Sequence, residues 1–343
     1  MTKPNDVLMP QARGVLDRSM RAIVQDAWGT DPATTLEVRE VDRPTIDDDA
    51  VLVRVIAASV DRGTVHCMTG QPYAMRLMGF GMRRPKAPNP GRALAGTVAS
   101  VGKNVQGFES GDEVYGSCDG SFAEYAQAQP GLLARKPANL SFDQASTAPI
   151  SGVTALQAVR KAGVAPGQHV LIIGASGGTG TFAVQIAKAF GAEVTGVCST
   201  GKVELVRSLG ADHVVDYTRE QITDSGRRYD VILDIAGNRT LSELRRALTD
   251  RGTLLIVGGE TGGRWLGGFD RSLRAVLLSP FVSQSLGMFA SKENTADLDA
   301  LRELIETGAV TPAVDRTYGL SETAAAIRDV EGGLVRGKVA ITI

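Results

Sequence analysis

Apolar residues fall along this chain in two textures. In the middle, short unbroken apolar runs alternate with stretches of helical spacing. His169-Val170-Leu171-Ile172-Ile173 is aliphatic and β-branched, the pattern of a strand buried on both faces. A glycine turn follows over 174–180. Phe182, Ile186 and Ala189 then recur at helical spacing, and Gly191 makes a natural stop. The alternation continues with a strand over 193–197, a helix over 203–209, strands over 213–217 and 230–235, a helix over 241–248 and a strand over 253–257. This order predicts a doubly wound parallel sheet.

Up to about residue 140 the apolar runs are shorter, and Gly and Pro break them. Strands are expected over 51–57, 96–102 and 121–126, with a turn at 111–116 feeding another, which predicts a compact β domain. Between 62 and 90, Met68, Tyr73, Met75, Met78, Phe80 and Met82 follow no clear period. That region reads either as a core-packing loop with a helical turn or as a flexible wall over a substrate pocket, since Met adapts to varied shapes. A helix over 141–163 leads into the central strand. After it come a glycine-rich loop over 260–269, a helix over 271–279 and a strand over 286–290. An amphipathic helix over 296–307 stops at Gly308. The chain closes with an extended stretch over 310–318, a helix over 322–330 and a strand over 338–343. The expected organisation is a flexible extension over 1–19, a β-rich domain over 20–140, a nucleotide-binding domain over 141–291, and a segment over 292–343 that completes the first domain.

Totals narrow the function classes. A chain of 343 residues suits two domains, and 43% hydrophobic with 22% charged residues is ordinary for a globular protein. A net charge of -1 gives no electrostatic case for nucleic acid or an anionic membrane. Cys67, Cys118 and Cys198 are widely spaced and odd in number, which argues for a reducing compartment and against a disulfide framework. No apolar run is long enough to span a bilayer. The first nineteen residues lack the apolar centre of a signal peptide, so a cytoplasmic protein is expected.

The turn carries the chemistry. It reads as the fingerprint G-x-G-x-x-G with Ala175 in the first glycine position, then Gly177 and Gly180. Gly174, Ala175, Ser176, Gly177, Gly178, Thr179 and Gly180 would let a pyrophosphate approach the backbone at a helix N-terminus. No Lys follows in the P-loop position, so this is not a nucleoside-triphosphate loop. The next strand ends Gly196-Val197-Cys198-Ser199-Thr200-Gly201-Lys202, without the acid that holds both ribose hydroxyls of NAD. Ser199, Thr200 and Lys202 suit a 2′-phosphate, which favours NADPH. The alternative is that Ser199 and Thr200 cap the next helix and Lys202 is a solvated charge.

Further motifs join these: Pro90-Gly91, Ala95-Gly96-Thr97-Val98, Val101-Gly102, Phe108-x-x-Gly111-Asp112-Glu113-Val114, Gly152-Val153-Thr154-Ala155-Leu156, Leu209-Gly210-Ala211-Asp212-x-Val214-Val215-Asp216-Tyr217 and Gly337-Lys338-Val339. With them the chain resembles the medium-chain dehydrogenase/reductase superfamily, in its zinc-independent quinone oxidoreductase-like and enoyl reductase-like branch. The resemblance implies an α/β protein in which a Rossmann domain is inserted into a GroES-like, β-rich catalytic domain. It places nicotinamide and substrate in the cleft between domains and adds Thr154, Tyr217 and Gly258 to the cofactor-binding residues. It also implies a homodimer through the edge of the nucleotide-domain sheet. Zinc-dependent relatives have Gly-His-Glu where this chain has Gly91-Arg92-Ala93, and ligands near Ala58-Ser59-Val60-Asp61 and Ile150; none of these ligands is present here. Without that Lewis acid, the expected reaction is hydride transfer to an enone or quinone, with the enolate stabilised by hydrogen bonds. In related enoyl reductases a tyrosine in a Gly-x-Tyr stretch donates the proton. Here Gly70-Gln71-Pro72-Tyr73 is one residue longer, and Tyr73 is the first candidate, with Asp61 beside it. Arg62, His66, Arg92 and Tyr115 are expected to line the pocket. The alternatives are a biosynthetic reductase or cyclase-like enzyme acting on a polyketide or terpenoid intermediate, and a nicotinamide-binding scaffold or sensor without turnover.

Overall fold

A computed structural model describes residues 18–259 and 263–343. The chain opens with β1 (Ser19–Val24), a short helix α1 (Pro32–Thr35) and β2 (Glu37–Asp42), and the two strands form an antiparallel hairpin. Ser19 already lies in β1, and residues 1–17 of the expected extension fall outside the described residues. The catalytic sheet follows: β3 (Val51–Val60), α2 (Arg62–Thr69), β4 (Ala93–Val101), β5 (Glu113–Ser117), β6 (Tyr125–Ala128) and β7 (Leu133–Arg135). The strand expected over 121–126 starts later. Residues 121–123 are held instead by β1, through an Ala22–Ala123 bridge and the bond from Ile23 N to Phe122 O (2.8 Å).

The helix expected over 141–163 is two helices, α3 (Phe142–Ser146) and α4 (Pro149–Lys161). Ser141 caps the first, its hydroxyl accepting from Gln144 N. Pro149 has no N–H and stands at the first turn of the second, where none is needed, so it starts that helix and cannot continue the one before.

The nucleotide domain comprises β8 (His169–Ile173), α5 (Gly178–Ala189), β9 (Glu193–Cys198), α6 (Val203–Ser208), β10 (His213–Asp216), β11 (Tyr229–Asp234), α7 (Leu241–Ala247), β12 (Leu248–Ile256), α8 (Phe269–Leu278) and β13 (Ser285–Met288). Its sheet is wholly parallel, in the order β10-β9-β8-β11-β12-β13. From β8 the chain runs outward through β9 and β10, then crosses to β11 and runs outward the other way through β12 and β13, so the reversal falls between β8 and β11, where doubly wound sheets bind ligands. The glycine-rich loop expected over 260–269 lies partly outside the described residues; α8 begins at Phe269.

The chain then returns through α9 (Thr295–Glu306), β14 (Val314–Gly319), α10 (Thr323–Glu331) and β15 (Lys338–Thr342). β15 pairs with β3, so the last strand joins the first domain's sheet, ordered β14-β15-β3-β4-β5-β7. The largest apolar core ignores the sequence boundary between domains. Leu298, Leu301 and Ile305 of α9 share it with Tyr115, Leu156, Ile172 and Phe182. Gly152 makes this packing close: a Cβ there would stand 2.5 Å from Leu301 Cδ2.

Candidate functional site

The glycine turn is built by close backbone approach. A Cβ on Gly180 would lie 2.0 Å from the carbonyl oxygen of Gly174, so only glycine lets α5 start this near the end of β8. Gly177 is different. Its φ is -85°, and a Cβ there would meet only Gly174 O, at 3.4 Å. The protein itself does not require the bare backbone at 177. No side chain caps α5, so its first amides are left for an anion, as a pyrophosphate cradle requires.

Neighbouring strand ends complete this floor. Gly258 N donates to Asp234 O (3.2 Å), and a Cβ on Gly258 would stand 2.0 Å from Ile235 O. Asp234 is fully buried and paired with Arg271 of α8, and it accepts from Gly237 N (3.0 Å). Burial pushes its carboxyl above the usual range, against the pull of Arg271. Thr154 faces Ser291 across the junction, hydroxyl to hydroxyl at 3.0 Å. Asp234 and Arg271 gave no sequence signal, because the pair is made across 37 residues.

At the end of β9, Thr200 donates to Asp216 (2.5 Å) and lies 2.8 Å from the Thr218 hydroxyl. Neither Ser199 nor Thr200 caps the helix that follows. Lys202 donates to Gly333 O (2.9 Å) and Val335 O (2.7 Å), and burial draws its pKa down. It is therefore tethered rather than solvated. Tyr217 is half-exposed nearby, its N–H bonded to Cys198 O at 3.1 Å.

The catalytic side starts where β3 ends. Asp61 caps α2, with Oδ1 accepting from Thr64 N (3.2 Å), while Oδ2 is buried without a hydrogen-bond partner among the described residues. Arg62 opens that helix. His66 Nδ1 donates to Gln71 O (2.7 Å) and so holds the turn leading to Tyr73. Tyr73 stands at the domain junction. Its N–H donates to Arg264 O (2.8 Å), and its ring meets Trp265 edge-on at 5.3 Å and the Arg76 guanidinium at 4.7 Å.

Arg92 approaches Glu293, which precedes α9, at 4.0 Å, and its Nε is buried without a hydrogen-bond partner among the described residues. Burial works against the Arg92 charge, but Glu293, Cys67, Asp119 and Asp61 outweigh it and hold the pKa above its ordinary value. Burial pushes the neighbouring Cys67 thiol up to about 11. A cavity of about 680 Å³ opens beside this group, walled by Ile23, Trp28, Cys67, Phe80, Arg92 and Asp119 among others. Arg62, His66, Tyr73 and Tyr115 do not line it. Tyr115 is the clear correction: it is fully buried under α9, and its hydroxyl donates to Leu298 O (2.6 Å), so it ties the two parts of the core together. A single residue in an alternating strand carries no mark of which it will do.

Lys338 is central here. It is 2% exposed, its Nζ donates to Val60 O (3.0 Å), and its Cδ lies 2.9 Å from where a Gly178 Cβ would be. Among the described residues, no group of three or more His, Cys, Asp and Glu side chains could hold a metal ion.

The two glycines separate folding from binding. Gly180→Ala should lose about 1–3 kcal/mol in urea denaturation, since backbone must move to admit the methyl. Gly177→Val should keep its unfolding midpoint nearly unchanged yet lose NADPH binding in fluorescence titration. Retained affinity in that variant would mean that no pyrophosphate crosses this turn.

Comparison with known proteins agrees with this geometry. Residues 47–138 match the alcohol dehydrogenase GroES-like domain, and residues 209–341 match a family described as zinc-binding dehydrogenase. The 2-methylene-furan-3-one reductase of Solanum lycopersicum is 32% identical over 313 residues, covering 87% of this chain and 73% of that protein. The chloroplastic NADPH-dependent alkenal/one oxidoreductase of Arabidopsis thaliana is 32% identical over 340 residues, covering 95% and 80%. The quinone oxidoreductase structure from Coxiella burnetii shares the fold with a TM-score of 0.80 at 25% identity, over 95% of this chain and 99% of that one. The chain is an oxidoreductase that belongs to the medium-chain dehydrogenase/reductase superfamily, in its quinone oxidoreductase-like branch.

Proposed function

We propose that this protein is a zinc-independent, NADPH-dependent reductase of an activated C=C bond or a quinone. The observation that carries the reading is a pair of features at one domain junction: an uncapped glycine turn, and a guanidinium where zinc-dependent relatives place a ligand. Arg92 opposes a cation in its neighbourhood, so the residues present do not fit the family's catalytic zinc. They do fit a dinucleotide. The turn at 174–180 would take the pyrophosphate, and Lys338, with one of its three N–H donors on Val60 O, has an ammonium to give to it. Thr154 and Gly258 would flank the nicotinamide end. Ser199, Thr200, Lys202 and Tyr217 would surround the 2′-phosphate.

NADPH held there would supply a hydride. The enone β-carbon accepts it, and the π electrons move onto the carbonyl oxygen, where hydrogen-bond donors stabilise the enolate. A proton then goes to the α-carbon, with Tyr73 as the proposed donor and Asp61 as the polar group beside the reacting centre. The free thiols Cys67, Cys118 and Cys198 suit a reducing compartment, which supports a cytoplasmic enzyme. No helix among the described residues is long and apolar enough to cross a membrane. A homodimer through β13 would pair the edge strand of the nucleotide sheet.

The direct test is NADPH oxidation with a panel of enones and quinones, before and after chelation. Turnover should be seen with some members and survive the chelator. Tight NADPH binding with no turnover across the panel would point to a scaffold instead.

Cofactor choice has its own readout. Lys202→Ala should weaken NADPH binding by ~10- to 100-fold, the worth of a charge-assisted contact. NADH binding should change little. Losing the tether to 333–335 would act on both cofactors alike, so an equal effect would place Lys202 away from the 2′-phosphate.

Tyr73→Phe tests the donor. With the ring still packed on Trp265 and Arg76, turnover should fall by ~10²–10⁴ while NADPH affinity stays unchanged. Wild-type turnover together with a clear primary isotope effect from deuterated NADPH would remove the phenol from the mechanism.

A further inference from the structure

A second cavity of about 680 Å³ lies on the nucleotide domain, between the segment that leads from β11 into α7 and the first turns of α8. Three arginines reach its wall: Arg239 from the first side, Arg271 and Arg274 from the second. The Arg271 side chain is only 14% exposed, and its Nη2 is taken by the buried Asp234 carboxylate. Its Nε and Nη1 are buried with no hydrogen-bond partner among the described residues. A guanidinium cannot shed a proton to relieve this, and each buried N–H without an acceptor costs free energy. Asp234 therefore satisfies only part of the fork.

The other two arginines have donors to give as well. Arg239 donates from Nη1 to Gln221 Oε1 (2.9 Å), a neutral partner that does not cancel its charge. Arg274 lies 3.2 Å from Asp270, one turn back on α8, in an exposed pair that solvent weakens. Asp270 is the carboxylate on the wall itself. Three guanidiniums thus stand against the carboxyl groups of Asp234 and Asp270. α8 begins here too, and no side chain caps it, so the partial positive charge of its first turn adds to theirs.

Trp265 and Leu266 give the same wall an apolar part, 74% and 53% exposed. The cavity has room for much more than a bare anion. A tetrahedral phosphate has oxygens enough for Nε and Nη1 of Arg271 and for the two outer arginines, where a carboxylate has only two. We propose that this cavity binds a phosphate ester with an apolar or aromatic body, at a site separate from the glycine turn over 174–180. The phosphate sits on Arg271, Arg239 and Arg274, and the body lies against Trp265 and Leu266. The Trp265 ring also meets Tyr73 at 5.3 Å, so the site borders the domain junction.

The test is calorimetric titration with phenyl phosphate, inorganic phosphate and phenol, each with and without saturating NADP+. With NADP+ present, phenyl phosphate should bind once per chain, more weakly as salt is raised. Inorganic phosphate should bind less tightly, and phenol not at all. Arg239→Gln and Arg274→Gln replace partly and largely exposed side chains, so both should fold, and each should weaken phenyl phosphate by roughly 3- to 10-fold. Trp265→Ala should weaken phenyl phosphate and leave inorganic phosphate alone. Displacement of phenyl phosphate by NADP+ would assign the arginines to the cofactor and overturn the separate site. No saturable binding, binding that both arginine variants leave intact, or phenol binding as tight as that of its phosphate would each overturn the proposal, with water then the partner of Arg271. None of these outcomes bears on the reductase reading, which is tested by turnover.

Discussion

Lys338 buries its ammonium where three elements of different origin meet. It begins β15, it donates to the carbonyl of Val60 at the end of β3, and its stem packs on the first residue of α5. Burial lowers its pKa while Asp61 pulls the other way, so the charge is held at a cost that the geometry around it must offset. The backbone just before it is equally fixed. Gly337 adopts φ +90°, donates to Ser176 O (2.9 Å) in the glycine turn, and would put a Cβ 2.4 Å from Ala313 O. A larger residue at 337 would therefore disturb the phosphate turn as well as the strand. This contact lets a chain that leaves its first domain for a long insertion return with cofactor turn and catalytic strand in one register.

How much of this was legible follows from how each element is buried. Parallel strands covered on both faces must be apolar throughout, so β8, β9, β11 and β12 are visible as runs. The β1–β2 hairpin is not visible, because Glu37, Arg39, Glu40 and Asp42 make β2 nearly as polar as a loop. The break between α3 and α4 was carried by Pro149, but the apolar spacing on both sides hid it. At the site, the glycine turn is local and can be read from spacing. The ring of groups around Arg92 is assembled from residues 61, 67, 119 and 293, and no window of sequence contains it. Tyr115 shows the same limit from the other side. Its strand position fixes a face, but only the arrival of α9 decides that the face is core.

At the proposed adenosine end, a tethered cation would be placed to select a ligand. Lys202 spends two of its three N–H donors on the carbonyls of Gly333 and Val335. Those bonds fix where the third points and remove rotamer entropy that a free surface lysine would lose on binding. Because the carbonyls belong to the segment before β15, the same segment carries Gly337 and Lys338 to the other end of the cofactor turn. Asp216 lies close by, its pKa lowered first by the Thr200 hydroxyl. Its negative charge is thus shared with the hydroxyls of Thr200 and Thr218, which would soften repulsion of the phosphate in the proposed site.

The position of Tyr73 depends on both domains. Its loop belongs to the catalytic domain, yet Tyr73 and Ala74 donate to the carbonyls of Arg264 and Trp265 in the nucleotide domain, at 2.8 and 3.1 Å. Two backbone bonds of roughly 1 kcal/mol each, with an edge-on ring contact, bias the junction toward closure without locking it. Opening the domains must either break this strap or carry the loop along. Asp61 and Arg92, on α2 and beside β4, stand on elements of the catalytic domain, whereas the Tyr73 loop is held by both domains. The placement of the proposed proton donor therefore depends on contacts from the nucleotide domain.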